Sequence, residues 1–135
     1  MSYFRSVALA IALFVMTVGV LTSQEPVPAE AFRAMHLVNL TPQQVAALQA
    51  WMADMNAAIE KTGHKDVRYR LYKVFGKQAG SYEHMWESAW PSGAVYDKVH
   101  ASPEWRAVSE KHPGIRELLK DEVYNRYVEV RANAR

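Results

Sequence analysis

Between Met35 and Val130 the sequence alternates between two hydrophobic patterns in a fixed order. The patterns predict a strand, a helix, two strands, a second helical region and a last strand. Turn and cap residues stand between the predicted elements where the connections need them. This order leaves few compact arrangements, because each element must bury its apolar side against another.

The first predicted helix has the clearest boundaries in the chain. Thr41 suits the N-cap, Pro42 the first helical position, and Gln44 completes a capping box. Gly63 follows the last turn, where a residue in the left-handed conformation ends many helices. Between these signals lies one apolar stripe at spacings of three and four, formed by Val45, Leu48, Met52, Met55 and Ile59.

The other elements are shorter and are bounded by glycine, proline and serine. Ser102-Pro103 predicts a break inside the second helical region, and glycines end the hairpin connection 76–80. The predicted strands are Met35–Leu40, Val67–Phe75, Ser81–Trp90 and Val123–Val130, and the second helical region is Ala94–Lys111. This βαββαβ order predicts an α+β, ferredoxin-like fold, with two helices on one face of a four-stranded antiparallel sheet.

The N-terminus has the pattern of a secretory signal. Arg5 precedes an uncharged apolar run of about 15 residues, Val7–Leu21, which is short of the roughly 20 residues of a membrane-spanning helix. We therefore predict a signal peptide over residues 1–23, a linker over 24–32 and one domain over 33–135. The predicted location is exported, periplasmic or secreted. The alternative is an uncleaved N-terminal segment that anchors the domain to a membrane.

Composition excludes several classes of site. The chain has no cysteine, which removes disulfides, thiolate nucleophiles and zinc–thiolate centres. The net charge is +2, and no stripe of Lys and Arg indicates nucleic acid as a partner. No Gly-rich phosphate loop or nucleophile elbow is present, and nothing requires flavin or nicotinamide. We expect no cofactor and no metal.

The motif Trp86-Glu87-Ser88, followed by Tyr96, His100 and Ser102-Pro103, resembles the dimeric α/β barrel superfamily. This superfamily includes antibiotic-biosynthesis monooxygenase-like domains, haem-degrading monooxygenases, stress-responsive barrel proteins and polyketide cyclases. The resemblance implies a small-molecule-handling domain similar to cofactor-independent monooxygenases or cyclases. It also implies a homodimer whose two sheets meet face to face.

The strand patterns give a separate reason to expect a homodimer. Met35 and Leu37 oppose Val38 and Leu40 across the first strand, and apolar or aromatic residues also occupy both sides of the last strand. A sheet with two apolar faces needs a cover on each, and the helices cover one.

The resemblance implies three catalytic candidates: His36 on the first strand, and Tyr96 and His100 on the second helix. A neutral imidazole accepts a proton near pH 7, and a phenol stabilises the oxyanion that forms beside it. The alternative is structural, with His36 capping a strand edge and His100 ending a helical turn. Haem-degrading members use an Asn, a Trp and a His where this chain has His36, Val99 and Ser109. Haem degradation is therefore not predicted, although haem binding stays open.

Four further residues are candidates for ligand binding: Trp86, Trp90, His84 and Tyr72. The first three share a face of the third strand, where aromatic rings suit a flat, hydrophobic or aromatic ligand. Tyr72 follows Arg68 and Arg70, which either pair with Glu83 and Glu87 or bind a carboxylate. The alternative function is a non-catalytic ligand-binding or assembly module, in which the aromatic residues serve packing alone.

Overall fold

The computed structural model describes residues 26–76 and 80–131, and it has the predicted ferredoxin-like fold. The four strands pair antiparallel in the order β2-β3-β1-β4. The elements are β1 (Phe32–Val38), α1 (Pro42–Lys61), β2 (Arg70–Lys73), β3 (His84–Trp90), α2 (Gly93–His100), α3 (Pro103–Lys111), α4 (Ile115–Leu118) and β4 (Val123–Val128). The predicted signal peptide lies outside the described residues.

Helix α1 begins and ends as its sequence predicts. The Thr41 hydroxyl accepts a hydrogen bond from the Gln44 backbone N–H, and the Gln44 side chain accepts one from the Thr41 N–H. Gly63 adopts a φ of 90° just beyond the helix. The apolar stripe packs onto the sheet, where Leu48 and Ile59 are fully buried. Among the described residues, no helix is long and apolar enough to cross a membrane.

The bounds of all four strands differ from the predicted ones, and the structure gives a reason for the differences at β1 and β2. β1 begins at Phe32, which we had assigned to the linker, and it ends before Asn39. Asn39 leaves the strand because its side chain binds the backbone of Ser81 and Glu83. β2 is shorter than predicted because Asn56 of α1 makes two hydrogen bonds to the Tyr69 backbone. Residues 67–69 are therefore tied to the helix and do not pair with β3.

The helical layer is interrupted as predicted. Ser102 caps α3 by accepting a hydrogen bond from the Trp105 N–H, and Pro103 occupies the first helical position. Before the sheet, the chain at Val27–Ala29 packs against the start of α2. A side chain at Gly93 would lie 2.4 Å from the Pro28 carbonyl oxygen, so this contact requires glycine.

The core lies between the helices and one face of the sheet. The register places Phe32 opposite Trp90 and His36 opposite Trp86, all on the helix-facing side. The other side of β1 carries Met35 and Leu37, which remain partly exposed. The helices therefore cover only one face of the sheet.

Candidate active site

A cavity of about 800 Å³ lies between the sheet and the helices. Its volume is in the range of pockets that bind small organic molecules. The sheet contributes Ala34, His36, Trp86, Ser88 and Tyr124. The helices and their connections contribute Trp51, Met55, Tyr96, His100, Trp105, Arg106, Ser109, Glu110, His112, Ile115, Arg116 and Leu119, and Glu122 lies just before β4.

His36 is held by a carboxylate within this cavity. Its Nδ1 lies 2.9 Å from Oε2 of Glu122, a residue 86 positions away in the chain. Because a carboxylate accepts hydrogen bonds, we assign the imidazole proton to Nδ1. The lone pair of the neutral ring is then on Nε2, the nitrogen that can accept a proton from a ligand.

Two aromatic rings fix the plane of the His36 imidazole. Trp86 stacks on it with ring centroids 3.4 Å apart, and Tyr124 stacks with centroids 4.4 Å apart. Burial lowers the pKa of His36 below its ordinary value, and the hydrogen bond that the ring donates to Glu122 only partly opposes this shift. Near neutral pH the ring is therefore uncharged and able to act as a base.

His100 and Tyr96 form a second imidazole–phenol stack. Their ring centroids lie 3.7 Å apart, and Nδ1 of His100 lies 2.8 Å from the Tyr96 carbonyl oxygen. The carbonyl requires a proton on Nδ1, so Nε2 of this ring also carries a lone pair. Burial lowers the pKa of His100, which favours the neutral form. The three predicted catalytic residues thus line one cavity.

Tyr124 and Arg126 connect the two stacks. Nε of Arg126 donates to the Tyr124 hydroxyl at 2.6 Å, and its guanidinium lies over the rings of Tyr96 and Tyr124. Interaction with Tyr96 contributes to raising the pKa of both Tyr124 and Arg126. Burial raises the pKa of the Tyr124 hydroxyl. We call Tyr96, Tyr124 and Arg126 the phenol–guanidinium cluster.

The predicted ligand-binding residues fall in different places. Trp86 lines the cavity, whereas Trp90 is 2% exposed and packs behind Tyr96 and His100. His84 is on the helix-facing side of β3 but outside the cavity wall, and its Nδ1 is buried without a hydrogen-bond partner among the described residues.

Tyr72 is on the wrong side of the sheet for the predicted role. It pairs with Met85, on the face away from the helices, and its hydroxyl donates to Glu87. The predicted pairing of Arg68 is also wrong, since Arg68 binds Glu60 and the Asn56 carbonyl oxygen. Arg33 is the arginine that pairs with Glu87. Thus the cavity and the Tyr72 face are separate surfaces.

Three cavity-side residues were missed by sequence reasoning: Glu122, Tyr124 and Arg126. Alternation along β4 places Tyr124 and Arg126 on one face, and the ferredoxin-like order places β4 beside β1. Those two signals were available in the sequence. The exact register, with His36 opposite Tyr124, required the structure.

Another histidine at the cavity wall has a structural partner. Nε2 of His112 lies 2.6 Å from Oδ2 of Asp54, and Lys111 binds the same oxygen at 2.7 Å. These contacts tie the end of α3 to α1. Within residues 26–76 and 80–131, no cluster of three or more His, Asp or Glu residues has the arrangement of a metal site.

Comparison with known proteins supports the fold of the chain. No protein-family model matches the sequence, and no curated protein matches it significantly. Among solved structures, a putative antibiotic biosynthesis monooxygenase from Caulobacter crescentus CB15 is similar with a TM-score of 0.53 and 11% identity. The match covers 78% of this chain and 94% of that one.

Two other structures have the same architecture. A dimeric ferredoxin-like protein of unknown function from Thermobifida fusca YX is similar with a TM-score of 0.52 and 20% identity, covering 75% of this chain and 92% of that one. A dabb family protein from Mesorhizobium loti MAFF303099 has a TM-score of 0.51 and 11% identity, covering 74% and 97%. The chain therefore has the same ferredoxin-like fold as these proteins, as the order of its elements predicted.

Proposed function

We propose that this domain is an acid/base enzyme that removes a proton next to a carbonyl group in a small, flat organic molecule. This is the chemistry of a cofactor-independent monooxygenase or cyclase. His36 is the base, Tyr96 donates a hydrogen bond to the carbonyl oxygen, and His100 is the second proton carrier. Trp86 forms the wall against which the ligand lies.

The observation that carries the proposal is the His36–Glu122 pair inside the cavity. A buried imidazole needs one nitrogen fixed and the other available if it is to accept a proton with defined direction. Glu122 fixes Nδ1 through its hydrogen bond, and the two stacked rings prevent rotation of the imidazole plane. Glu122 is a positioning residue, because it acts through His36.

Proton exchange tests this role without knowledge of the natural substrate. β-Diketones, β-keto acids and aryl ketones are incubated with the protein in deuterated water, and NMR measures loss of the signal of the acidic C–H. We expect catalysed exchange with at least one compound class. His36→Asn is expected to slow it by about 10²- to 10⁴-fold, the usual contribution of a positioned general base.

His84→Asn is the matched control, because His84 is on the same side of the sheet but outside the cavity wall. It should leave the exchange rate unchanged. Glu122→Gln should reduce the rate, because the interaction with the Glu122 carboxylate raises the pKa of His36 and the neutral amide does not. Equal rates in wild-type protein and His36→Asn would refute the base assignment, and absence of exchange with every class would favour a non-catalytic binding module.

The proposal includes a homodimer formed through the sheet face away from the helices. Tyr127 and Val123 on this face are 49% and 37% exposed, and the similar Thermobifida fusca protein is described as dimeric. A second copy would cover these residues and form the closed barrel. Light scattering at micromolar concentration should give twice the mass of the chain, and a monomeric mass would refute this part.

We also propose export, which is supported by the charged start and apolar run before residue 22. Expression of the full chain in a bacterial host, followed by mass spectrometry of the periplasmic fraction, should show a new N-terminus beyond residue 23, where Ala29-Glu30-Ala31 has the small-x-small pattern of a cleavage site. A full-length product in the membrane fraction would instead support the anchored alternative.

A further inference from the structure

The phenol–guanidinium cluster has an unused hydrogen-bond donor. Nε of Arg126 donates to the Tyr124 hydroxyl at 2.6 Å, and its guanidinium lies over the rings of both Tyr96 and Tyr124. A phenol that accepts a hydrogen bond from a guanidinium still has its own proton to donate. No hydrogen bond that uses the Tyr124 proton reaches a side chain outside the cluster in the described part of the chain, so the cluster has a phenol proton that can be donated to a ligand.

The position of this donor is defined by the two imidazole stacks. Tyr124 stacks on His36 and Tyr96 stacks on His100, and all four side chains line the cavity. A ligand oxygen that accepts from the cluster would therefore lie beside both imidazoles. Arg126 keeps its charge at all relevant pH values, and it polarises the Tyr124 phenol through a hydrogen bond.

We propose that the phenol–guanidinium cluster is an oxyanion subsite that binds an enol or phenol substrate in its ionised form. This rests on the proposed function, and it adds Tyr124 and Arg126 to the site. In the reaction, the C–H bond breaks, its proton moves to Nε2 of His36, and the electron pair becomes the enolate whose oxygen the cluster stabilises. Donors fixed in advance at this position lower the energy of the enolate more than that of the neutral carbonyl.

The probe for this subsite is para-nitrophenol, whose ionised and neutral forms absorb differently. Absorbance at one pH, close to the pKa of the free probe, gives the ratio of ionised to neutral probe when it is free and when it is bound. We expect the ratio to rise about tenfold on binding to wild-type protein, which corresponds to one pKa unit in the probe. Working at one pH keeps the protonation of the protein constant.

Variants separate the cluster from other charges in the cavity. Arg126→Gln and Tyr124→Phe should each return the ratio toward its free value, and Arg126→Lys should restore only part of the effect. Arg106→Gln removes a cavity-lining charge outside the cluster and should keep the full ratio. His84→Asn should also keep it, because His84 lies outside the cavity wall.

Three results would overturn the inference. One is an unchanged ratio on binding, a second is an equal loss in Arg106→Gln and Arg126→Gln, and a third is loss of the effect in His84→Asn. The C–H exchange experiment is independent of these. Catalysed exchange with an unchanged ratio would reject the subsite alone, whereas a raised ratio without exchange would reject the base assignment alone.

Discussion

The two faces of the sheet both bury ionisable side chains, but they do so in different ways. On the helix-facing side, His36 is 8% exposed and has one of its two nitrogens bonded. On the other side, Glu87 is also 8% exposed, and both of its oxygens are occupied, one by Arg33 and one by Tyr72. The His36 arrangement leaves one ring nitrogen available to a ligand, whereas both oxygens of Glu87 are already engaged.

This difference shows how one sheet can separate a reaction site from an assembly surface. Burial disfavours charge, so the imidazoles near the cavity are neutral and available for proton transfer. Glu87 is surrounded by donors, and its carboxylate belongs to a saturated network on a face otherwise rich in Met, Leu and Val. Substitutions on the two faces should therefore have different consequences.

The largest effect on stability is expected from Trp90→Ala. Trp90 is 2% exposed and packs against Tyr69, Tyr96 and His100 in the helix-facing core. Its removal should lower the free energy of unfolding by about 3–5 kcal/mol, measured by urea denaturation. The loss should be the same at every protein concentration. Tyr127→Ala should show a loss that depends on concentration, as expected for a dimer contact.

Glu87→Ala should have a smaller effect on stability and none on catalysis. Arg33 and Tyr72 are exposed enough to bind water when the carboxylate is removed, so we expect a loss of about 1 kcal/mol in urea denaturation. Glu83→Ala, at an exposed position before β3, is the control. A fall in the C–H exchange rate in Glu87→Ala would contradict the separation of the two faces.

His36→Asn should change the free energy of unfolding by less than about 1 kcal/mol, even though His36 is buried. The desolvation of the ring offsets much of its stacking, and residues kept for catalysis are seldom optimal for stability. A loss of about 2 kcal/mol or more would indicate a structural histidine. Urea denaturation of this variant beside His84→Asn distinguishes the two outcomes.

Acidification should destabilise the domain through the cavity imidazoles. The pKa values of His36 and His100 are below the ordinary 6.5 in the folded state, so the unfolded chain binds more protons in this range. The free energy of unfolding should therefore fall as pH decreases through 6.5 toward the lowered values. The lowered pKa of Asp54 acts only below its ordinary 3.8, in a separate range.

Urea denaturation at a series of pH values between about 7 and 5 measures this dependence. His36→Asn should reduce the slope, because one of the two responsible rings is gone. An unchanged slope would show that His36 has the same proton affinity in the folded and unfolded chain.

The sequence predicts the structure best where residues close together in the chain decide the local conformation. The Thr41–Gln44 capping box, the break at Ser102 and the common strand face of His84, Trp86 and Trp90 were all confirmed. Each depends on residues close together in the chain. The late start of β2 was not predicted, because it is set by Asn56, which lies 13 residues before Tyr69.

The sequence by itself determined the order of elements, their caps and the alternation of each strand, because backbone geometry and side-chain type act over a few residues. It also placed His36, Tyr96 and His100 among the candidates through motif resemblance. Only the tertiary structure decided that Glu122 reaches His36 and that Arg126 joins two phenols from different elements. Those contacts depend on strand register and helix packing, which arise from the whole core at once.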